Sequence, residues 1–293
     1  MDRPDNNADA RSVDAVSRRA FAASSVAAGV VGSAGSTQAK AHMEKTIVET
    51  DVTITTPDGS CDAALFHAAE GKARPAVVMF PDALGLRPVF RDMGRRLAGD
   101  GHTVLVPNPF YRTRKAPVFG DDFDFSNPTD RAKLGPLRAP LTPEAVMRDG
   151  LAYVAFLDAH KAVDRKAKMG SVGYCMGGAM TMQVSAAAPT RFGAGVSMHG
   201  GGLVTDKPDS PHLLVPKLNA AYYFGIAAND DERDPKAKDG LKAAFAAANR
   251  QAKIEVYETA QHGWCVKGSP VYKEPDAERA WSEMLALYKR ALV

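Results

Sequence analysis

The chain has 293 residues, enough for two small domains or one large α/β core, with 45% hydrophobic and 24% charged residues, as in ordinary globular proteins. Thirty-seven basic residues against thirty-four acidic ones leave a formal charge of +3, which excludes a polyanion-binding balance, and no basic run reads as a nucleic-acid arm. Three cysteines, Cys61, Cys175 and Cys265, are too few for a disulfide scaffold and match no zinc spacing.

Residues 1–16 are polar and show no apolar period. Ser17-Arg18-Arg19-Ala20-Phe21 comes next, then an uncharged small and apolar run from Ala22 to Val31, then Ala39-Lys40-Ala41 with a small-x-small pattern. Charged region, apolar region and cleavage site in that order read as a signal peptide. The arginine pair followed by Phe resembles the twin-arginine signal. The expectation is a removable signal over residues 1–41, a mature domain over 42–293 beginning near His42, and a periplasmic location. The apolar run is too short to span a membrane, and no later segment qualifies.

From there strand and helix signals alternate. Lys45 to Thr55 and Cys61 to His67 read as strands joined through Pro57-Asp58-Gly59. Ala76 to Phe80 is wholly apolar, which suits a strand buried on both faces. Val89 to Gly101 has helical spacing and Thr103 to Pro107 is the next strand. Residues 108–141, rich in Pro, Asp, Phe and Arg, show no period and read as a long surface excursion of the kind that shapes a site. Pro143 to His160 reads as a helix with Thr142 as its N-cap. Strands follow at Lys168–Tyr174, Ala194–Met198, Ala220–Ile226 and Lys253–Tyr257, and helices at Gly177–Ala187, Pro235–Arg250 and Pro275–Leu292. The pattern is that of an α/β fold with a doubly wound, mostly parallel sheet and helices on both faces.

Gly173-Tyr174-Cys175-Met176-Gly177-Gly178 stands between a predicted strand and a predicted helix. It is a G-x-S-x-G nucleophile elbow with Cys in place of Ser. Only small residues fit two places before and after a nucleophile on such a turn, and the helix N-terminus beyond it favours a thiolate and a developing oxyanion. A thiol nucleophile needs a base, and the base an orienting carboxylate, in the chain order nucleophile, acid, histidine. His262 follows the last strand. His199 also follows a strand but precedes the acid and reads as a pocket-wall or structural residue, and His212 lies in a Pro-rich loop. Asn229-Asp230-Asp231-Glu232 supplies the acid; Asp230 is nearest the strand end, with Asp231 as the alternative. Asp82 follows the Ala76–Phe80 strand, where Ala83 is placed to give one oxyanion N–H and Met176 the other.

Together these residues resemble the dienelactone hydrolase family of the α/β-hydrolase fold. The likeness lies in Gly173 to Gly178, in His262-Gly263-Trp264 and in Asp82-Ala83-Leu84-Gly85, and it extends from about residue 46 to the C-terminus. The resemblance implies an ester or lactone hydrolase acting through an acyl-enzyme on Cys175, with His262 and Asp230, and with no cofactor or metal. It implies that the residue at Asp82, usually Glu in the family, helps ionise Cys175. Arg112, beside Tyr111, matches one of two arginines that hold a substrate carboxylate; at the second position stands Val266, next to Lys267, which argues against dienelactone itself. The expected partner is a small-molecule ester or lactone, met by a monomer with no nucleic acid and no membrane span in the mature chain. The competing reading is a periplasmic thiol-redox or stress protein on the same fold, with Cys175 as an oxidation-sensitive thiol; it lacks a C-x-x-C pair, and Cys265, three residues from His262, is the cysteine that could approach the site.

N-terminal sequencing of the protein from a periplasmic fraction tests the export reading. A start near His42 is expected, and an intact Met1 in the cytosol contradicts it.

Overall fold

A computed structural model describes residues 46–120 and 122–293. The signal-peptide expectation for residues 1–41 therefore lies outside the described residues. Eight strands form one sheet: β1 (Ile47–Thr56), β2 (Gly59–Ala68), β3 (Ala76–Phe80), β4 (Thr103–Pro107), β5 (Met169–Tyr174), β6 (Phe192–Met198), β7 (Ala221–Ala227) and β8 (Ala252–Tyr257). Their order across the sheet is β1-β2-β4-β3-β5-β6-β7-β8. β2 runs antiparallel to both its neighbours, and every pair from β4 to β8 is parallel. This is the α/β-hydrolase fold.

The alternation of strand side chains divides the core in two. Val77 and Met79 point to one face, where Phe90 and Leu97 of α1 (Pro88–Gly99) and Met284 and Leu287 of α8 (Glu274–Ala291) cover them. Ala76, Val78 and Phe80 point to the other, against α4 (Pro143–Ala159), α5 (Gly177–Ala187) and α7 (Ala237–Ala247). β3 and β5 are buried along their whole length, as their unbroken small and apolar sequences require of strands covered on both sides.

Three features depart from the sequence expectation. The 108–141 excursion holds two five-residue helices, α2 (Pro128–Ala132) and α3 (Leu134–Arg138), too short to show a period. A 3-10 turn occupies Pro211–Lys217. A six-residue helix, α6 (Ala228–Arg233), starts directly after β7 and carries the acidic run. The Thr142 cap forms as expected, its hydroxyl accepting the Ala145 N–H at 3.2 Å.

The segments that follow the carboxyl ends of β3, β5, β6, β7 and β8 carry Asp82, Cys175, His199, Asp230 and His262, with Asp230 in α6 and the others in turns or loops. A parallel sheet delivers these side chains to one edge because every strand in that stretch ends there. Among the described residues, no helix is long and apolar enough to cross a membrane.

Candidate active site

Cys175 sits at the turn between β5 and α5 with φ of +53°, a left-handed conformation that a Cβ-bearing residue adopts only when its surroundings impose it. The surroundings are crowded. A Cβ on Gly173 would overlap the Gly177 carbonyl, and one on Gly177 would come within 2.5 Å of the Phe80 carbonyl oxygen. The Cys175 N–H donates to the Met198 carbonyl at 3.0 Å and to Nδ1 of His199 at 3.1 Å, which pins the turn to β6.

The thiol is half-buried and lines one cavity with His262, whose charged form it favours. On the far side of that ring, Nδ1 lies 2.7 Å from Oδ2 of Asp230. An ionised carboxylate only accepts, so Nδ1 carries the hydrogen and Nε2 is left for the thiol proton. Burial disfavours the charged imidazolium, but the Asp230 hydrogen bond and the Cys175 thiol outweigh it and push the His262 pKa up to about 10. Asp230 is itself held by Arg233, whose guanidinium donates to Oδ1 at 2.5 Å. The alternative acid is directed elsewhere: Asp231 pairs with Lys238 at 2.5 Å.

Two further residues, Asn229 and His199, brace this arrangement. Asn229 accepts the His262 backbone N–H on its Oδ1 at 2.9 Å, fixing the histidine loop to the acid-bearing helix. His199, read as wall or structure, is 1% exposed with φ of +41°, and its ring meets that of His262 edge-on at a centroid distance of 4.8 Å. Burial, and then the neighbouring His262, hold His199 well below the usual histidine range, so it stays neutral. Its Nδ1 accepts from Cys175, so the hydrogen is on Nε2.

The N–H groups of Ala83 and Met176 donate to no other group among the described residues. Ala83 is buried beside the thiol on the wall of a cavity of about 770 Å³ that Cys175, His199 and His262 also line. Asp82 lines it too, but its carboxylate is engaged. Arg87 donates to both oxygens, at 2.6 and 2.9 Å, and the Leu84 N–H donates to Oδ1 at 2.9 Å. Asp82 is thus a tethered wall residue here, and its shorter side chain is spent on Arg87 rather than on the thiol.

Tyr111 and Arg112 require a correction, because they do not line this cavity. The Arg112 guanidinium grips Asp149 at 2.8 and 2.9 Å and Asp58 at 2.7 Å, while the Tyr111 hydroxyl donates to Asp149 at 2.7 Å. They knit the β1–β2 turn to α4. Asp149 is buried, and burial raises its pKa despite those partners, so a lost arginine would leave a carboxylate in a poor solvent. Cys265 lines a second cavity with Tyr174, Met198 and Trp281, and Cys61, Cys175 and Cys265 are all free thiols. Among the described residues no three His, Cys, Asp or Glu side chains gather as metal ligands.

A thiol on a strand-to-helix elbow, with a carboxylate-bound histidine delivered from later strands, defines an α/β-hydrolase site. The family profile described as "Dienelactone hydrolase family" matches residues 62–292, and the chain belongs to that family. Within it the chain is an ester- or lactone-cleaving hydrolase. An Escherichia coli K12 protein named "Putative carboxymethylenebutenolidase" is 29% identical over 220 residues, covering 74% of this chain and 77% of its own. The "Carboxymethylenebutenolidase" of Rhodococcus opacus is 25% identical over 220 residues, covering 74% of this chain and 81% of its own. The crystal structure of a "Putative Dienelactone Hydrolase" from Klebsiella pneumoniae superposes with a TM-score of 0.72 at 24% identity, over 84% of this chain and 99% of that one, which shows a shared fold.

Replacing Arg112 tests its reassignment. Arg112→Ala is expected to cost about 3–5 kcal/mol, the usual penalty for orphaning a buried charge, seen as a lower denaturation midpoint. An unchanged midpoint with a raised KM would return Arg112 to substrate binding.

Proposed function

We propose that this protein hydrolyses a carboxylic ester or lactone through a Cys175–His262–Asp230 triad and a thioester intermediate. The observation that carries the reading is the 2.7 Å hydrogen bond between His262 and Asp230, with the half-buried Cys175 thiol lining the same cavity as that histidine. His262 Nε2 takes the Cys175 proton, and the thiolate sulfur attacks the carbonyl carbon. The carbonyl oxygen becomes an oxyanion facing the N–H groups of Met176 and Ala83, with the positive end of α5 behind the first. The C–O bond to the leaving group then breaks, and the imidazolium returns its proton to the departing alkoxide; in a lactone that group stays attached to the acyl chain. Water attacks the thioester next, giving its proton to His262, and the thiolate departs. The carboxylic acid leaves and Cys175 is restored.

Asp230 keeps its hydrogen bond to Nδ1 throughout. Its part is to hold the tautomer and favour the imidazolium. The high His262 pKa makes the ring a strong acceptor for the Cys175 proton, which activates the sulfur as a nucleophile. The relatives named as carboxymethylenebutenolidases support lactone substrates for this site.

Export of the folded enzyme through the residue 17–21 arginine motif is the proposal that accompanies this reading.

Cys175→Ala is expected to lower kcat/KM on small activated esters by roughly a thousandfold or more. Asp230→Asn removes a support of the imidazolium. The basic limb of the pH–rate profile, expected near the His262 pKa of about 10, should then move down by at least about one unit toward the ordinary histidine value. Full activity in Cys175→Ala, or an unmoved basic limb in a still-active Asp230→Asn, would contradict the assignment.

A further inference from the structure

Five large hydrophobic side chains stand exposed among the described residues, and two of them, Phe125 and Val271, line the cavity of Cys175 and His262. They arrive from separate segments, the excursion before α2 and the loop after the histidine. Phe125 is 50% exposed, yet it is braced: its ring meets Phe123 at 5.0 Å, and Phe123 meets Phe119 at 4.5 Å. Phe119 packs in turn on the buried cluster of Phe110, Val118 and Leu137. An apolar wall held open to solvent beside a nucleophile is a surface awaiting an apolar ligand group.

The charges around the cavity point the same way. Apart from His262, whose charge is paired with Asp230, four charged side chains line it, Asp82 and Asp124 against Arg87 and Lys267, and they sum to zero. Arg87 is consumed by its two bonds to Asp82. Hydrogen bonds from the Ser126 hydroxyl and N–H hold the Asp124 carboxyl below its usual range, so it stays ionised. Lys267 has no ion-pair partner among the described residues, but it is exposed at the rim. A screened surface pair of that kind is worth a factor of about five at most. Burying a phenyl-sized group is worth at least roughly tenfold. Arg112, which the family resemblance assigns to a substrate carboxylate, is held outside the cavity by Asp58 and Asp149.

We propose that this site selects uncharged esters or lactones bearing an aromatic or similarly bulky apolar group, received by Phe123, Phe125 and Val271, over substrates carrying a carboxylate. The proposal rests on the hydrolase reading above and narrows its substrate class. Contact with one phenyl ring favours the substrate; a carboxylate gains only the rim lysine and meets Asp124.

The test compares kcat/KM of the full chain on ethyl propanoate, ethyl 3-phenylpropanoate, benzyl propanoate and monoethyl succinate, followed by acid release at low salt. At least one aromatic ester should exceed ethyl propanoate by about tenfold or more, the better of the two identifying which side of the ester meets the wall. Monoethyl succinate should fall below ethyl propanoate. Phe125→Ser and Val271→Ser, both at exposed positions, should each shrink the aromatic-to-ethyl ratio severalfold. Preference for monoethyl succinate, or an aromatic ratio unchanged in both variants, would overturn this inference while leaving the hydrolase reading intact. Inertness toward all four esters and toward activated esters would instead remove the hydrolase reading, and this inference with it.

Discussion

The hydrogen bond between Asp230 and His262 determines what the remaining parts can do. Cys175 on its own is a thiol on a strained turn, and strain does not remove a proton. His262 on its own is a half-buried imidazole that desolvation keeps neutral. Once Asp230 accepts from Nδ1, the tautomer is fixed and the charged form of the ring is stabilised strongly enough to overcome burial. Several devices hold this bond in place. Arg233 grips the other carboxylate oxygen, Asn229 ties the histidine loop to α6, and the Ala228 N–H donates to the Ala260 carbonyl at 2.9 Å, joining the two loops a second time.

The elbow fixes the other end of the relay. Its left-handed cysteine is tolerated because the strand, the helix and the loop after β3 meet where only glycine fits at positions 173 and 177. His199 then links the elbow to the base: its Nδ1 accepts the nucleophile's own N–H, and its ring edge stands against His262. A charged ring in that place would repel the imidazolium, so burial of His199 serves the chemistry by keeping it neutral.

Most of this was legible in the sequence where the cause is local. The glycines of the elbow, the buried strands without polar residues and the order of nucleophile, acid and histidine are all properties of a few neighbouring positions. The choice of Asp230 over Asp231 was less secure, because consecutive residues of a helix point about 100° apart and only the start of α6 decides which faces the histidine. The setting of Arg112 was hidden for a different reason. Its partners Asp58 and Asp149 lie 54 and 37 residues away, and no local pattern reveals an ion pair closed by the tertiary fold. Arg87 escaped notice because its pairing with Asp82 depends on the turn at Gly85 bringing the two together. Helices α2 and α3 are single turns without a period to read. The substrate wall was invisible for the same reason as Arg112, since Phe125 and Val271 meet only in the folded chain.

The account stands on a covalent bond forming at one sulfur. Acid quenching during turnover of a slow ester, followed by peptide mass spectrometry, observes that bond directly. The acyl mass is expected on the peptide holding Cys175, at that residue, absent before substrate and lost as turnover completes. Acylation at another side chain, or turnover at full rate with no acyl adduct on Cys175 while its thiol remains open to alkylation, would contradict it.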